Sequence, residues 1–539
     1  MLESSDRLSR TIDIEFKDME DVNVCIENFC CIINECVLPF AEVKDVKHKT
    51  KNANSHPKST VDKPWFNSTC KTLYNKYKEC LFNFNKNMSA ECRKLLVEAK
   101  QKYKKVENRL KRQYKRQEGD MLEYLRKNNP KYFYNIFCRK KIQVNKTDLN
   151  IDDFVRHFRN LMEPADTMSP NDGHDFDDHL YESTFDELDE EISREEITKA
   201  IKKLKSNKSC SEDLILNELF KKCDDILLPL LHGLFNKIFD SGFFPHSWSR
   251  SCIVPLFKKN DVNDVNNYRG ISLVSCFGKL FTSIINSRML EWENSYNILT
   301  DAQFGFKGGL STVDAIFALQ AIIKRSLDSK NRLYCCFVDF KKAFDSIDRT
   351  RLWKKLVYLG VTGKCLRIIY SLYSSIKTCV KYHGRLSDYF PNDMGLLQGE
   401  VLSPILFSMY INDIEINFIK ENCPSVDIQL INIFLLMYAD DMVLIAESPQ
   451  NLQKMLDTLY DYCTEWKLEV NVQKTKIVVF RNGGKLRNTE NWSYNGYYID
   501  IVSEFNYLGV LMSSNGKFFK TQKHVADQGR KALFSILNK

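Results

Sequence analysis

The run LMYADDMVLIAES, residues 436–448, sets two adjacent aspartates, Asp440 and Asp441, in the middle of an apolar stretch. FLLMYA before them and MVLIA after them each read as a short buried strand, which puts both carboxylates at the two-residue turn of a hairpin. Two ionised carboxylates crowded at the tip of an apolar sheet repel, and the pKa of one rises unless a cation neutralises both. About a hundred residues earlier, YCCFV reads as another buried strand, with Asp339 at its C-terminal end and KKAFDSI turning away. Magnesium takes a few protein carboxylates and completes its shell with water and substrate phosphate, so aspartates on adjacent strand ends make a site for phosphate chemistry. Between them, GLLQGEVLSPILFSMYINDI (395–414) offers a turn at Gln398 and Gly399 that something planar can approach closely, followed by a helix opening at Ser403-Pro404. Each piece alone has a plain reading: a solvated hairpin, a helix cap, a dipeptide without meaning. The set in this order is what chance does not supply.

The chain that must position these residues has 539 residues, 43% apolar and 12% aromatic, enough for several domains and a substantial core. Lys and Arg (78) exceed Asp and Glu (70) by eight, but the charge is polarised. Residues 100–146 hold sixteen Lys/Arg against four Asp/Glu, and residues 163–191 hold twelve Asp/Glu with no Lys or Arg. Residues 66–127 have apolar and aromatic side chains three and four apart, which predicts long amphipathic helices. Their basic face, with Tyr77, Tyr103 and Tyr114 interleaved, offers to track a phosphate backbone and stack on bases, against the plain alternative of a solvated helical face. The Pro-, Gly- and Asp-rich stretch 168–179 reads as a flexible linker at a domain boundary. Ser193 and Glu196 form a capping box that starts a helix, and from there to about residue 512 helical stretches alternate with short β-branched runs, the pattern of a mixed α/β or α+β domain. The eighteen cysteines show neither a CxxC pair nor zinc-knuckle spacing and read as reduced thiols of an intracellular protein. No secretory h-region opens the chain, and its greasiest stretch is cut by Asn432, Asp440 and Asp441, so neither secretion nor a membrane span is expected.

Taken together, the motifs resemble a reverse transcriptase of the non-LTR retrotransposon type, over roughly residues 196–515. FVDFKKAFDSID is similar to motif A, GLLQGEVLSPILFSMYIND to B, MYADDMVLIA to C, LEVNVQKTKIVVF to D and FNYLGVLMS to E. CIVPLFKKNDVNDVNNYRGISLVSCFGKLF resembles the fingers segment shared with group II intron enzymes, and DAQFGFKGGLSTVDAIFAL the segment after it. The resemblance implies an α+β fold: right-handed polymerase fingers and palm with an antiparallel palm sheet, preceded by a helical N-terminal region. The expected divisions are a basic helical region at 1–150, an acidic linker at 151–195, fingers and palm at 196–515, and the start of a truncated thumb at 516–539.

Residue roles carry over by position. Asp339 and Asp440 are expected to hold two magnesium ions, with manganese able to substitute, and Asp441 to stand beside them. Phe344 would exclude the sugar 2′-hydroxyl, although its plain role is core packing. Gln398 and Gly399 would meet the incoming nucleotide or template, while Lys258, Lys259 and Arg269 would clamp triphosphate oxygens. Lys474 corresponds to the motif D lysine that protonates pyrophosphate, and Tyr507 to Val510 to the hairpin gripping the primer end. The partners so implied are an RNA template, a DNA primer and deoxynucleoside triphosphates. The chain departs from the family at Ser211, where a glycine is expected, and at Gly270, where proline is common. It also carries no endonuclease, zinc knuckle or ribonuclease H signature. The competing expectation is a catalytically inactive, truncated relic that only binds RNA; a group II intron maturase or a telomerase-like enzyme would need extensions not found.

Overall fold

The computed structural model describes residues 5–37, 63–130, 132–133, 147–162, 183–208, 213, 215–428 and 431–537. The expected linker core at 168–179 and Ser211 lie outside them. The chain divides into two compact units, residues 1–42 with 145–524, and residues 43–144 with 525–539.

In the larger unit the central sheet is built around strand β3 (Leu333–Val338), all six of whose residues are buried. On one edge it pairs antiparallel with β6 (Asp441–Ala446), which pairs in turn with β5 (Leu435–Tyr438); on the other it pairs antiparallel with β7 (Lys476–Phe480). Residues 500–501 add a short parallel strand to β7. Both faces are covered. Tyr334, Cys336 and Val338 join the main core with Leu444 and Val479, whereas Leu333, Cys335 and Phe337 join a second cluster with Val443, Ile445 and Val478. That two-sided burial is why LYCCFV reads as an unbroken apolar run instead of an alternating one.

A second sheet precedes it in the chain. Strand β1 (Ser251–Phe257) pairs antiparallel with β2 (Tyr268–Leu273) and parallel with β4 (Lys377–Tyr382). The capping box at Ser193 and Glu196 is formed, and the Glu196 carboxylate also takes the Arg288 guanidinium, Nε to Oε1 2.6 Å, which ties the helix Arg194–Lys203 to the helix Cys276–Tyr296.

Two of the expected divisions change. Helices α1 (Ser5–Ile12) and α2 (Met19–Val37) do not belong with the basic region: Leu8, Ile12, Val22 and Phe29 are buried in the main core of the larger unit, with the Phe29 ring 5.7 Å from that of Phe277. Helix α5 (Ile151–Met162) lies inside the expected linker, yet it buries Phe154, Phe158 and Met162 against Ile253, Val380 and Phe390 of the second sheet. The acidic composition of the residues that follow had masked an apolar stripe at helical spacing.

The smaller unit contains a helical hairpin, and the end of the helix Phe519–Leu537, from residue 525 on, is grouped with it. Helix α3 (Ser68–Lys86) is capped by Asn67 and α4 (Ala90–Asn128) by Ser89, each cap side chain accepting a backbone N–H of the first turn. The tyrosines expected to offer stacking surfaces are used to hold this hairpin together. Tyr103 stacks on Tyr77 with centroids 6.1 Å apart and meets Tyr74 at 5.3 Å, while Tyr114 packs on Trp65 at 6.0 Å. The period that announced a helix could not say which face its partner would cover. Among the described residues no helix is long and apolar enough to cross a membrane.

Candidate active site

Strand β3 ends at Val338, opposite Met442 of β6, and the next residues outward are Asp339 and Asp441. Both continue the face on which Phe337 and Val443 lie. The β5–β6 turn sits one residue earlier than expected: Asp441 already pairs with Tyr438, so the turn residues are Ala439 and Asp440. Ala439 takes φ +56°, a left-handed conformation uncommon for alanine. The neighbouring segment accounts for it. Gln303, 1% exposed, accepts the Ala439 and Gly305 backbone N–H groups through Oε1, at 3.1 and 2.8 Å. Phe304 N–H donates to Met437 O at 2.8 Å, and a side chain at Gly305 would strike Ala439 N. The DAQFGF segment therefore moulds the turn from behind, a role sequence reading did not assign to Gln303 or Gly305.

Asp339 is fixed through its backbone. Its N–H donates to Thr475 Oγ1 at 3.2 Å and its carbonyl accepts Asn471 N–H at 2.7 Å, both from the loop before β7. From that loop Lys474 Nζ reaches within 3.4 Å of Asp339 Oδ2, a buried oxygen without a hydrogen-bond donor.

The three carboxylates sense one another. Burial holds the Asp440 carboxyl above the usual carboxylate range, and the Asp339 charge adds to the effect. Burial and the charges of Asp440 and Asp339 push Asp441 up to about 6. Tyr507, whose hydroxyl is buried without a partner, is pushed up by burial and by the Asp441 charge. Its strand β8 (Glu504–Tyr507) forms a hairpin with β9 (Val510–Ser513) and stacks Phe505 on Phe337 at 4.3 Å. Among the described residues no three His, Cys, Asp or Glu side chains are spaced to hold a metal ion by themselves. The expected triad is thus not spaced as a closed cage among the described residues. Magnesium needs only one or two protein carboxylates and takes water and phosphate for the rest. The donor-free Asp339 oxygen and the two raised carboxyls are what such an ion would relieve.

Near the carboxylates lie further cations and the Gln398 amide. Arg269 of β2 donates from Nε to Gln398 Oε1 at 3.0 Å, and Gln398 Nε2 donates to Asp345 Oδ1 at 2.9 Å. Asp345, which the sequence reading passed over, fixes which way the Gln398 amide faces. Burial pushes its carboxyl up to about 6. Lys258, just after β1, is exposed, yet partial desolvation and the charges of Arg269 and Lys474 hold it below the usual lysine range, so it belongs to the same cluster. Lys259 is exposed in the turn beyond and makes no ion pair among the described residues.

The Gln398 turn is pressed onto its neighbours. Ser272 N–H donates to Gln398 O at 2.8 Å, and Gly399, at φ +130°, would carry a Cβ 2.6 Å from Ser272 O. The loop before it is held by Arg349, which is buried and donates to the carbonyls of Tyr373, Asn392, Met394 and Gly395 at 2.6 to 3.0 Å. Phe344 accepts Leu396 N–H on its carbonyl at 2.7 Å and stacks its ring on Phe407 of helix α6 (Ser403–Tyr410), with centroids 4.6 Å apart. At Gly270 a Cβ would lie 2.8 Å from the Phe158 ring, so helix α5 leaves no room for a side chain there.

Residues 257–512 match the family described as reverse transcriptase (RNA-dependent DNA polymerase). These residues form a reverse transcriptase domain. It is of the non-LTR retrotransposon kind, with fingers and palm in an α+β fold. The chain is 27% identical over 334 residues to the RNA-directed DNA polymerase from mobile element jockey of Drosophila funebris, covering 61% of this chain and 36% of that protein. It is 29% identical over 358 residues to the probable RNA-directed DNA polymerase from transposon BS of Drosophila melanogaster, covering 63% and 38%. The chain thus spans little more than a third of the length of these two relatives. Among solved structures, apo telomerase from Candida tropicalis truncated from its C-terminal domain aligns at TM-score 0.36 and 15% identity, over 50% of this chain and 54% of that one.

Proposed function

We propose that the reverse transcriptase domain transfers deoxynucleotides to a primer 3′-hydroxyl on an RNA template, with Asp339, Asp440 and Asp441 as its acidic centre. The observation that carries this reading is that Asp339 and Asp441 continue two paired strands at the same edge, with Asp440 in the adjoining turn and Lys474 Nζ 3.4 Å from Asp339. Asp339 and Asp440 would hold two magnesium ions, which supply charge neutralisation and a more acidic 3′-hydroxyl. The rest of the work falls to positioning by the chain's own residues. Arg269 is anchored by Nε, which leaves both terminal guanidinium nitrogens for triphosphate oxygens. Lys258 would add a point charge, and Lys474, whose Nζ lies 3.4 Å from Asp339 Oδ2, would donate a proton to the departing pyrophosphate. Phe344, backed by Phe407, would meet a ribose 2′-hydroxyl with a ring that cannot retreat. The β8–β9 hairpin would support the primer end beside Asp441.

The test is magnesium-dependent extension of oligo(dT) on poly(rA) by the wild-type chain and by Asp440→Asn. Extension should fall on the order of 10³-fold or more in the variant, with melting temperature maintained. Extension that survives the substitution would remove the acidic centre from the mechanism.

A further inference from the structure

Residues 63–130, which hold the helical hairpin, carry eighteen Lys/Arg against seven Asp/Glu. That surplus of eleven exceeds the surplus of eight for the whole chain, so this one hairpin accounts for the basic character of the protein. Within α4 the charge is most concentrated between Lys100 and Arg116, nine Lys/Arg with Glu107 as the single acid. Glu107 is 6% exposed and already bridges Lys104 at 2.8 Å and Lys111 at 3.1 Å. The remaining seven, Lys100, Lys102, Lys105, Arg109, Arg112, Lys115 and Arg116, are exposed and have no ion pair among the described residues.

Helical geometry spreads these seven widely. At about 100° per residue, Lys100 and Lys115 follow one edge of the exposed face, while Lys102, Arg109 and Arg116 follow another roughly 100° or more round, with Lys105 and Arg112 between. Their axial span is about 24 Å. Between Lys100 and Arg116 no aromatic ring is exposed among the described residues: Tyr103 is buried, and Tyr114 packs on Trp65. Such a face can neutralise phosphates and cannot stack on bases.

We infer that the exposed face of α4 between Lys100 and Arg116 is a docking surface for the phosphate backbone of a nucleic-acid duplex, recognised by charge without base contact. A duplex is favoured over a single strand because it presents two phosphate rows to a face with two cationic edges, at one charge per about 1.7 Å of axis. Seven contacts set a slope of log Kobs against log salt near −6, so affinity falls on the order of 10³- to 10⁴-fold between 50 and 200 mM salt. The surface lies outside the polymerase site and deepens the reading above by giving the same chain a second hold on its substrate.

The experiment measures binding of the full chain, carrying Asp440→Asn and without divalent ions or nucleotides, to three unrelated 20-base-pair duplexes across a salt series. The comparison is with the same chain after Lys105→Gln, Arg109→Gln, Arg112→Gln and Arg116→Gln together, and with a second set, Lys100→Gln, Lys102→Gln and Lys115→Gln, in case the first impairs folding. The first set should make the slope shallower by about 3 to 4 and weaken all three duplexes alike, and the second by about 2 to 3. Charge-preserving Lys→Arg and Arg→Lys exchanges should keep the slope. An unchanged slope, a loss that depends on sequence, or tighter binding to poly(Glu) or phosphatidylserine vesicles than to duplex would overturn the inference. Because the readout needs no catalysis, failure of primer extension in the wild-type chain would leave it standing, and its failure would leave the acidic centre untouched.

Discussion

The palm edge and the helical hairpin both gather charges of one sign and handle the repulsion in opposite ways. At the palm edge, strands buried on both faces end in Asp339, Asp440 and Asp441, and Asp440 and Asp441 respond to partial desolvation and to the neighbouring carboxylates with raised pKa values, although Asp441 stays exposed. On α4 the lysines and arginines stand out into water, and Lys104 is raised by its bond to Glu107. Repulsion that the fold imposes would be relieved by a compact divalent ion. Repulsion that solvent already screens costs little at rest and becomes affinity when a polyanion replaces the counterions.

This contrast can be broken by experiment. The largest effect expected is the loss of extension in Asp440→Asn. Next, Phe344→Ala should raise ribonucleotide incorporation relative to deoxynucleotide by roughly 10- to 100-fold, and an unchanged ratio in steady-state competition would reduce Phe344 to packing. Asp345→Ala removes the acceptor of the Gln398 amide and frees it to turn, so the KM for nucleotide should rise about tenfold with kcat less affected; equal losses in both would mean that Asp345 acts in the transition state instead.

Stability carries the sign of the argument. Asp441 has its folded pKa raised from 3.8 to about 6, so the metal-free protein is favoured below about pH 4 and loses that favour as pH rises through about 6. Asp441→Asn should therefore melt higher than wild type at pH 8 and match it near pH 4, and the advantage should shrink when magnesium is added. A variant that melts lower at pH 8 would show that these charges are not strained. The smallest effect belongs to Gly270→Ala, which drives a methyl into Phe158 and should cost about 1–3 kcal/mol in urea unfolding without changing the salt slope of nucleic-acid binding.

The sequence disclosed the parts whose signal is local. The apolar run of β3, the aspartate at its end, the capping box at Ser193 and the helical period of α3 and α4 all follow from residues within a few positions of one another. Features decided by distant contacts stayed hidden. The turn at Ala439 is displaced by a residue because Gln303 and Gly305 hold it, more than a hundred positions away in the chain. Asp345 looked like one more acid in KKAFDSID until Gln398 was seen to donate to it. Helix α5 was lost in an acidic neighbourhood whose average outweighed three apolar side chains, and Tyr77, Tyr103 and Tyr114 gave no hint of facing inward until α3 and α4 were set side by side.

Strand β3 also sets a timetable. Cys336 pairs with Leu444 on one side and Ile477 on the other, so the middle of the sheet leaves the ribosome well before either neighbour exists. At typical synthesis rates the wait for the last of them is roughly 7–30 s, during which LYCCFV has two unsatisfied edges. The α3–α4 hairpin closes through a three-residue turn, using contacts completed before that strand is made. Nascent chains should therefore acquire protease-resistant helix early and remain dependent on a holding chaperone until Phe480 has been added.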